Sequence, residues 1–549
     1  MHLAAPPPRR RTRLLGAIVV AALGVVATSA SDAFAADSRW SVRADGPISA
    51  RQLGLPAGAA RSTLARKAIK ASAGELGLSR ERMGRLETGP SMGASDVRAM
   101  RFRQSVGGLR VLWSQLNVLV AGDSVSGIMG TVVPVRGELR GSVKLGSARA
   151  RGIARRRIAG ADSARRPELV PYAGEPGKPR APRRAYVVEV LPDRTAPGDD
   201  SPIGWCVVVD AATGKVLKVW RGSAASSAAP SRPRARAGQS STVLAQYADA
   251  KGSSSTVLPN HGYDLRTNGN PYDYDQGGGI LTSFGTPTSL ATGSPPFRTA
   301  IDVSTEVARF FCMTPRKYCG RDGGGRPHGY ARHFFTINWG GGVAMYKPSQ
   351  ERIYIPKSDS RNWETAAHEL GHSIDDHNAD EYLQTVEGDE IDEAIAEMFS
   401  YDFSNGRPAP PGETVSVTNI LKDPRAAPIL ISHDPGGPGV KLPSLYSQYY
   451  CKATEEHLNG YILGHAYYKL VQRVGRVTAA RVLLFVPFML PAQREFGDVR
   501  EAMEDGAHAL FPGPNNTEGV IEQHVDDAFA EVGVVDASRR VDRCPGATP

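Results

Sequence analysis

Cysteine is scarce in this chain: five in 549 residues, at positions 206, 312, 319, 451 and 544. None of them stands in a close Cys-x-x-Cys spacing, which argues against a zinc site built from thiolates. Aromatic residues make up only 7% and do not interleave with the arginines, so the pattern of a nucleic-acid-binding face is missing. Long apolar runs are also missing. The only sizeable one, Leu14 to Ala27, falls short of the ~20 residues that a membrane span needs.

That short run has the features of an export signal. Arg9-Arg10-Arg11-Thr12-Arg13 precedes it and a small-residue site, Ala33-Phe34-Ala35, follows, which predicts a signal peptide over 1–35 and no stable membrane anchor. A secreted, extracellular protein would meet an oxidising environment. Cys312 and Cys319 are spaced to close a short loop, and Cys451 with Cys544 to tie down the last segment, although spacing does not fix the connectivity.

The formal net charge of +10 hides a split. Residues 1–237 carry +22 and residues 238–549 carry −12. Halves of opposite sign attract, so the basic half is expected to dock on the acidic one, and high salt to weaken that docking. The sign changes across 222–241, a Ser-, Ala-, Pro- and Arg-rich stretch with the composition of a linker and of an easy proteolytic target. Before it, helical periodicity over Ala60–Leu76 and strands over Val97–Gln104, Leu109–Val120 and Val125–Val133 outline a unit at 45–135, with hairpin turns at Gly107-Gly108 and Gly122-Asp123. A second unit spans 141–221, with strands at Tyr186–Leu191, Trp205–Val209 and Val216–Trp220. After the linker, strand-like sequence over 242–360 gives way to helical patterns over 361–549. That order predicts an α+β arrangement of two lobes, β-rich then helical, with a cleft between them.

The chemistry is concentrated in Trp363-Glu364-Thr365-Ala366-Ala367-His368-Glu369-Leu370-Gly371-His372. On a helix, His368 and His372 stand one turn apart on one face and can supply two ligands to zinc. Glu369, beside the first histidine, is placed to act as general base toward a water at the metal. A chance His-Glu-x-x-His is on the order of one in a hundred for a chain like this, so a third ligand is needed to separate a metal site from two histidines on an amphipathic helix. Ile391-Asp392-Glu393-Ala394-Ile395-Ala396-Glu397 is a second helical pattern whose Glu393 and Glu397 follow His372 by 21 and 25 residues. Glu393 would complete a two-His, one-Glu set with a position left open. Glu397 would take the free N–H of a ligand histidine.

These residues resemble the thermolysin-like zinc metallopeptidases. Asp392-Glu393-Ala394-Ile395-Ala396-Glu397 is similar to the family's Asn-Glu-Ala-Ile-Ser-Asp helix, and His457-Leu458-Asn459-Gly460 is similar to its late His-x-Asn segment. The resemblance implies a two-lobed thermolysin-like catalytic domain preceded by small α+β propeptide units, the first of them of the fungalysin/thermolysin type (Phe102-Arg103-Gln104, Gly107-Gly108-Leu109). It implies a secreted zinc metalloendopeptidase acting on protein or peptide substrates, made as a precursor inhibited and helped to fold by its own propeptide. His457 would stabilise the oxyanion, and Asn338 would lie in the substrate-binding edge strand. The family's active-site tyrosine falls on Gln384, with Tyr382 a nearby substitute, and its arginine on Asn419. Of its double calcium site only Glu364 and Glu413 keep carboxylates, which leaves calcium open. A zinc aminopeptidase and a non-catalytic peptide-binding homologue are the alternatives.

Overall fold

The computed structural model describes residues 41–221 apart from short breaks, four short strands between 245 and 280, and residues 333–535 apart from breaks that include 340–343, 380–385, 405–416, 430–439 and 452–456. The expected signal peptide, the 222–241 linker, Cys312, Cys319, Cys544, Tyr382, Gln384 and Glu413 lie outside the described residues.

The first unit is an antiparallel sheet with one helix against it. Its strands are β1 (Ser41–Ala44), β2 (Ile48–Ser49), β3 (Arg85–Gly93), β4 (Val97–Val106), β5 (Leu109–Arg110), β6 (Gln115–Ala121) and β7 (Ser124–Thr131), and the sheet runs in the order β1-β7-β6-β4-β3. Helix α1 (Arg61–Ala71) buries Leu64, Ala65, Ala68 and Ile69 against Phe102, Leu116, Val118 and Ile128. Gly107 and Gly108 both take positive φ (59° and 73°), the conformation that the tight β4–β5 turn demands and that glycine alone adopts without strain. The single strand expected over Leu109–Val120 is two strands. The chain breaks at Val111–Ser114, where Trp113 sits at φ 65° with its ring buried. Trp113 meets Tyr172 and Trp220 edge-on at 6.0 and 5.2 Å, so the break turns an aromatic side chain into the core of the next unit.

That second unit is a five-stranded sheet, β8 (Ala161–Ala164), β9 (Glu168–Glu175), β10 (Lys178–Pro192), β11 (Trp205–Asp210) and β12 (Val216–Arg221), covered by α2 (Ser147–Arg157). Sequence periodicity misses α2 because its fully buried residues are only Ala150 and Ala154, with Ile153 half-buried beside them and five arginines around. Cys206 is a buried thiol on β11, outside any disulfide.

The third sheet, in the order β14-β13-β17-β19-β18, is built from β13 (Ala245–Asp249), β14 (Val257–Leu258), β17 (His333–Trp339), β18 (Met345–Lys347) and β19 (Arg352–Pro356), with a small hairpin of β15 (Asp275–Gln276) and β16 (Gly279–Ile280). Helices follow: α3 (Trp363–Ala379), α4 (Val386–Ser404), α5 (Val417–Lys422), α6 (His457–Val474), α7 (Arg476–Leu483), α8 (Val486–Met489), α9 (Phe496–Leu510) and α10 (Val520–Glu531), with the two-stranded β20 (Pro428–Ile429) and β21 (Val440–Lys441) between α5 and α6. The chain is thus a mixed helix-and-sheet protein with a β-rich N-terminal part and a helical C-terminal part, as its periodicity predicts. No helix among the described residues is long and apolar enough to cross a membrane.

One apolar core joins the helices to the first sheet. Val97, Ala99, Leu119 and Met129 pack in the same cluster as Leu370, Ile374, Phe488 and Met503. The polar contacts described across this joint run mostly to main-chain carbonyls. Arg101 donates to the oxygens of Asn378 (2.5 Å) and Phe488 (2.8 Å), Gln115 to Leu490 O (2.8 Å) and Asn117 to Met489 O (3.0 Å). Gly127 lets β7 lie against α9; a Cβ there would collide with the Asp505 carboxylate.

Candidate metal centre

Helices α3 and α4 create the site by crossing at very short range. Gly371 on α3 makes this crossing tolerable, since a Cβ on it would stand 2.6 Å from the Ala396 Cα and 3.2 Å from the Ala396 carbonyl oxygen. Both obstacles are backbone, which no rotamer change relieves. Gly371→Ala is therefore expected to cost about 1–3 kcal/mol through overpacking and to weaken zinc binding, because it pushes the histidine helix away from the glutamate helix. Thermal melting and chelator competition on the same preparation check both effects.

At the crossing, His368, His372 and Glu393 offer ligand atoms that all lie within 4.8 Å of one another. The two imidazole Nε2 atoms are 3.0 Å apart, and Glu393 Oε2 lies 3.2 Å from His368 Nε2 and 3.4 Å from His372 Nε2. Tetrahedral zinc with bonds near 2.05 Å spaces its ligand atoms about 3.3 Å apart, so this donor set fits the ion. The outer partners agree. His372 Nδ1 faces Asp392 Oδ2 at 3.0 Å, and His368 Nδ1 faces Glu397 Oε1 at 3.6 Å. A carboxylate behind each ring draws the proton to Nδ1 and leaves the inward Nε2 with a lone pair, the form a metal requires.

The electrostatics fit a cation as well. Burial alone would raise the Glu393 carboxyl, but His457, His372 and the imidazole hydrogen bonds outweigh it and hold the group well below its ordinary value. Burial alone would lower His372, but Asp392 and Glu393 lift it well above the usual imidazole range. Both shifts mark a place that favours positive charge, which a bound zinc ion would supply. Glu369 is 6% exposed, and burial pushes its carboxyl above the ordinary value while the two histidines pull the other way. Its carboxylate accepts the Tyr346 main-chain N–H.

His457, the first residue of α6, comes to the same place. Its Nε2 is 2.8 Å from Glu393 Oε2, and its ring stacks on that of His368 at 5.8 Å. The sequence-predicted residues His368, Glu369, His372, Glu393, Glu397 and His457 thus converge. Asn338 lies on β17, the central strand of its sheet; the edge strand beside the site is β18, which carries Tyr346. Glu364, a calcium candidate by resemblance, accepts the Val417 N–H at the start of α5 (2.8 Å).

Several residues around the site escape sequence reading. Asp392 backs His372, and burial with the neighbouring Asp392 pushes the Asp375 carboxyl up to about 7 against the pull of Arg494, which pairs with it at 2.5 Å. Tyr346 donates its hydroxyl to Asp376 (2.9 Å). Adjacency to Glu393 is the one sequence signal that pointed to Asp392.

No protein-family model matches the chain. Among curated proteins it is 26% identical over 485 residues to thermolysin from Alicyclobacillus acidocaldarius subsp. acidocaldarius, a match that covers 79% of this chain and 83% of the relative. It is 25% identical over the same length to bacillolysin from Bacillus caldolyticus. Among solved structures, the precursor of protealysin, a metalloproteinase from Serratia proteamaculans, aligns with 53% of this chain and 88% of its own, at 14% identity and a TM-score of 0.39. Over 79% of its length the chain is thus similar to the thermolysin-like metallopeptidases.

Proposed function

We propose that this protein is a secreted zinc metalloendopeptidase, made as a precursor whose N-terminal units restrain the catalytic part. The observation that supports it most is the convergence of two inward imidazole nitrogens and one buried carboxylate oxygen beside a buried glutamate and a third histidine. His368, His372 and Glu393 would hold the zinc. When bound, the ion supplies a lowered water pKa and polarisation of the scissile carbonyl.

The remaining work falls to this chain's own groups. The Glu369 carboxylate takes a proton from the attacking water and returns it to the leaving nitrogen. His457 donates an N–H to the oxygen that gains charge in the transition state. Asp392 and Glu397 fix the two ligand rings from behind. As the edge strand of its sheet among the described residues, β18 would lie along a substrate held extended, which suits a peptide of many sequences. Asn338 and Tyr382 are candidates for further substrate contact.

The aminopeptidase reading needs acids facing the cleft to hold a free amino terminus. Four of the described acids, Asp375, Asp376, Glu387 and Glu390, instead engage Arg494, Tyr346, the Phe496 N–H and the Tyr449–Asn459 pair. These internal bonds favour the endopeptidase.

The test is made on the processed, secreted form. N-acetylated and free-amine versions of one peptide are expected to be cut at similar rates, where an aminopeptidase would cut only the second and a peptide-binding homologue neither. Chelation is expected to abolish cleavage and zinc to restore it. It should also lower the melting temperature, because zinc at a thousand times its Kd stabilises the fold by about 4 kcal/mol. Cleavage that persists in the metal-free form would overturn the proposal.

A further inference from the structure

Glu390 has no part in the chemistry described above, yet it is fully buried on the helix that carries Glu393. The two are three residues apart, so they project from neighbouring positions on one side of α4. Glu390 Oε1 accepts a hydrogen bond from Asn459 Nδ2 (2.7 Å), and its Oε2 accepts one from the Tyr449 hydroxyl (2.6 Å). Asn459 is itself fully buried, two residues after His457 on α6. It also clasps the segment after the 446–448 turn, accepting the Tyr450 N–H at 2.9 Å and donating to the Tyr450 oxygen at 3.2 Å. A second observation puts the contact at the same point. A Cβ on Gly460 would stand 2.8 Å from the Glu390 carbonyl oxygen, so α6 and α4 touch backbone to backbone there.

We infer that Glu390 is a positioning residue: through Asn459 and Tyr449 it sets the start of α6, and with it His457, against the Glu393 edge of the metal site. His457 is the part of the site that most needs such a tie. Its side chain is 39% exposed, against 12–14% for His368, His372 and Glu393, so packing alone constrains it least. The Tyr449–Asn459–Glu390 joint ties the start of the helix to α4. A donor displaced by about 1 Å from the transition-state oxygen loses on the order of a hundred-fold in rate. Loss of the joint should therefore appear in kcat more than in KM.

The inference rests on the peptidase reading, and two readouts keep the two separable. In the processed enzyme obtained from the full chain, Glu390→Ala is expected to lower kcat ten- to a hundred-fold per zinc-loaded molecule, with KM within about two-fold and zinc content unchanged. Glu390→Gln keeps an oxygen for Asn459, and the Tyr449 hydroxyl can turn to accept from the new amide, so kcat should return to within about three-fold of wild type. Tyr449→Phe removes one bond at constant shape and should give a smaller loss, which covers the case in which Glu390→Ala fails to fold. Independently of turnover, the ring proton resonance of His457, assigned by its disappearance in His457→Ala, should move in Glu390→Ala and return in Glu390→Gln. A wild type that cuts no peptide refutes the peptidase reading and leaves the resonance test standing. An unmoved His457 resonance, an unchanged kcat at equal zinc content, or a Glu390→Gln variant as impaired as Glu390→Ala overturns the positioning role.

Discussion

Replacing Glu369 by glutamine is expected to lower peptide hydrolysis by about 10²–10⁴-fold while one zinc per chain remains bound. The size follows from what the group does: removing a positioned general base takes away about 3–5 kcal/mol of transition-state stabilisation. Retention of zinc follows from geometry. The three converging ligand atoms belong to His368, His372 and Glu393, and Glu369 is not among them. Glutamine has the same shape, so it keeps an oxygen for the Tyr346 N–H and leaves the packing of a residue only 6% exposed undisturbed. Metal analysis alongside kinetics separates this variant from Glu393→Ala, which should lose zinc and activity together. A Glu369→Gln enzyme that keeps more than a tenth of its rate would remove Glu369 from the role of base.

What the sequence disclosed about this site follows from the range of the interactions. His368, Glu369 and His372 are readable because helical spacing alone puts them together, and Glu393 because a second amphipathic pattern follows at a usable distance. The hairpins of the first unit are readable for the same reason, with Gly107-Gly108 marking the turn. The break in the strand expected over Leu109–Val120 was not, since it serves the burial of Trp113 in a neighbouring unit. Helix α2 was hidden by composition: with two alanines and one isoleucine facing inward among five arginines, it lacks the apolar stripe that a pattern search detects. Contacts between distant residues were hidden altogether. Asn459 meets Glu390 across 69 positions and Arg101 meets Asn378 across 277, and no local pattern marks either. The substrate edge is an intermediate case. Asn338 is expected in the edge strand, but the chain places it in mid-sheet and gives the edge to Met345–Lys347.

Arg101→Met is expected to destabilise the precursor by about 3–6 kcal/mol and to weaken the hold of the first unit on the helical part after cleavage. Arg101 is 1% exposed, and its guanidinium bridges β4 to two helices. It donates to Asn117 Oδ1 at 2.8 Å within the sheet, to Asn378 O in the last turn of the zinc helix and to Phe488 O on α8, and it lies 4.2 Å over the Phe488 ring. A cation at the carbonyl end of a helix is favoured by the helix dipole. Methionine fills much of the volume but donates nothing, so two buried carbonyls lose this donor at about 1–3 kcal/mol each, and the ring loses a cation contact. The same geometry bears on salt. The opposite charges of the two halves predict docking that salt weakens, whereas bonds from Arg101, Gln115 and Asn117 to buried carbonyls are screened much less than exposed ion pairs. The separated parts should therefore stay associated in high salt more firmly than +22 against −12 suggests, and Arg101→Met should loosen them at every salt concentration. Thermal melting of the precursor and sedimentation of the cleaved pair measure the two effects. Wild-type parts that fall apart in salt, or an Arg101→Met precursor as stable as wild type, would show that the charge split rather than this joint holds the units together.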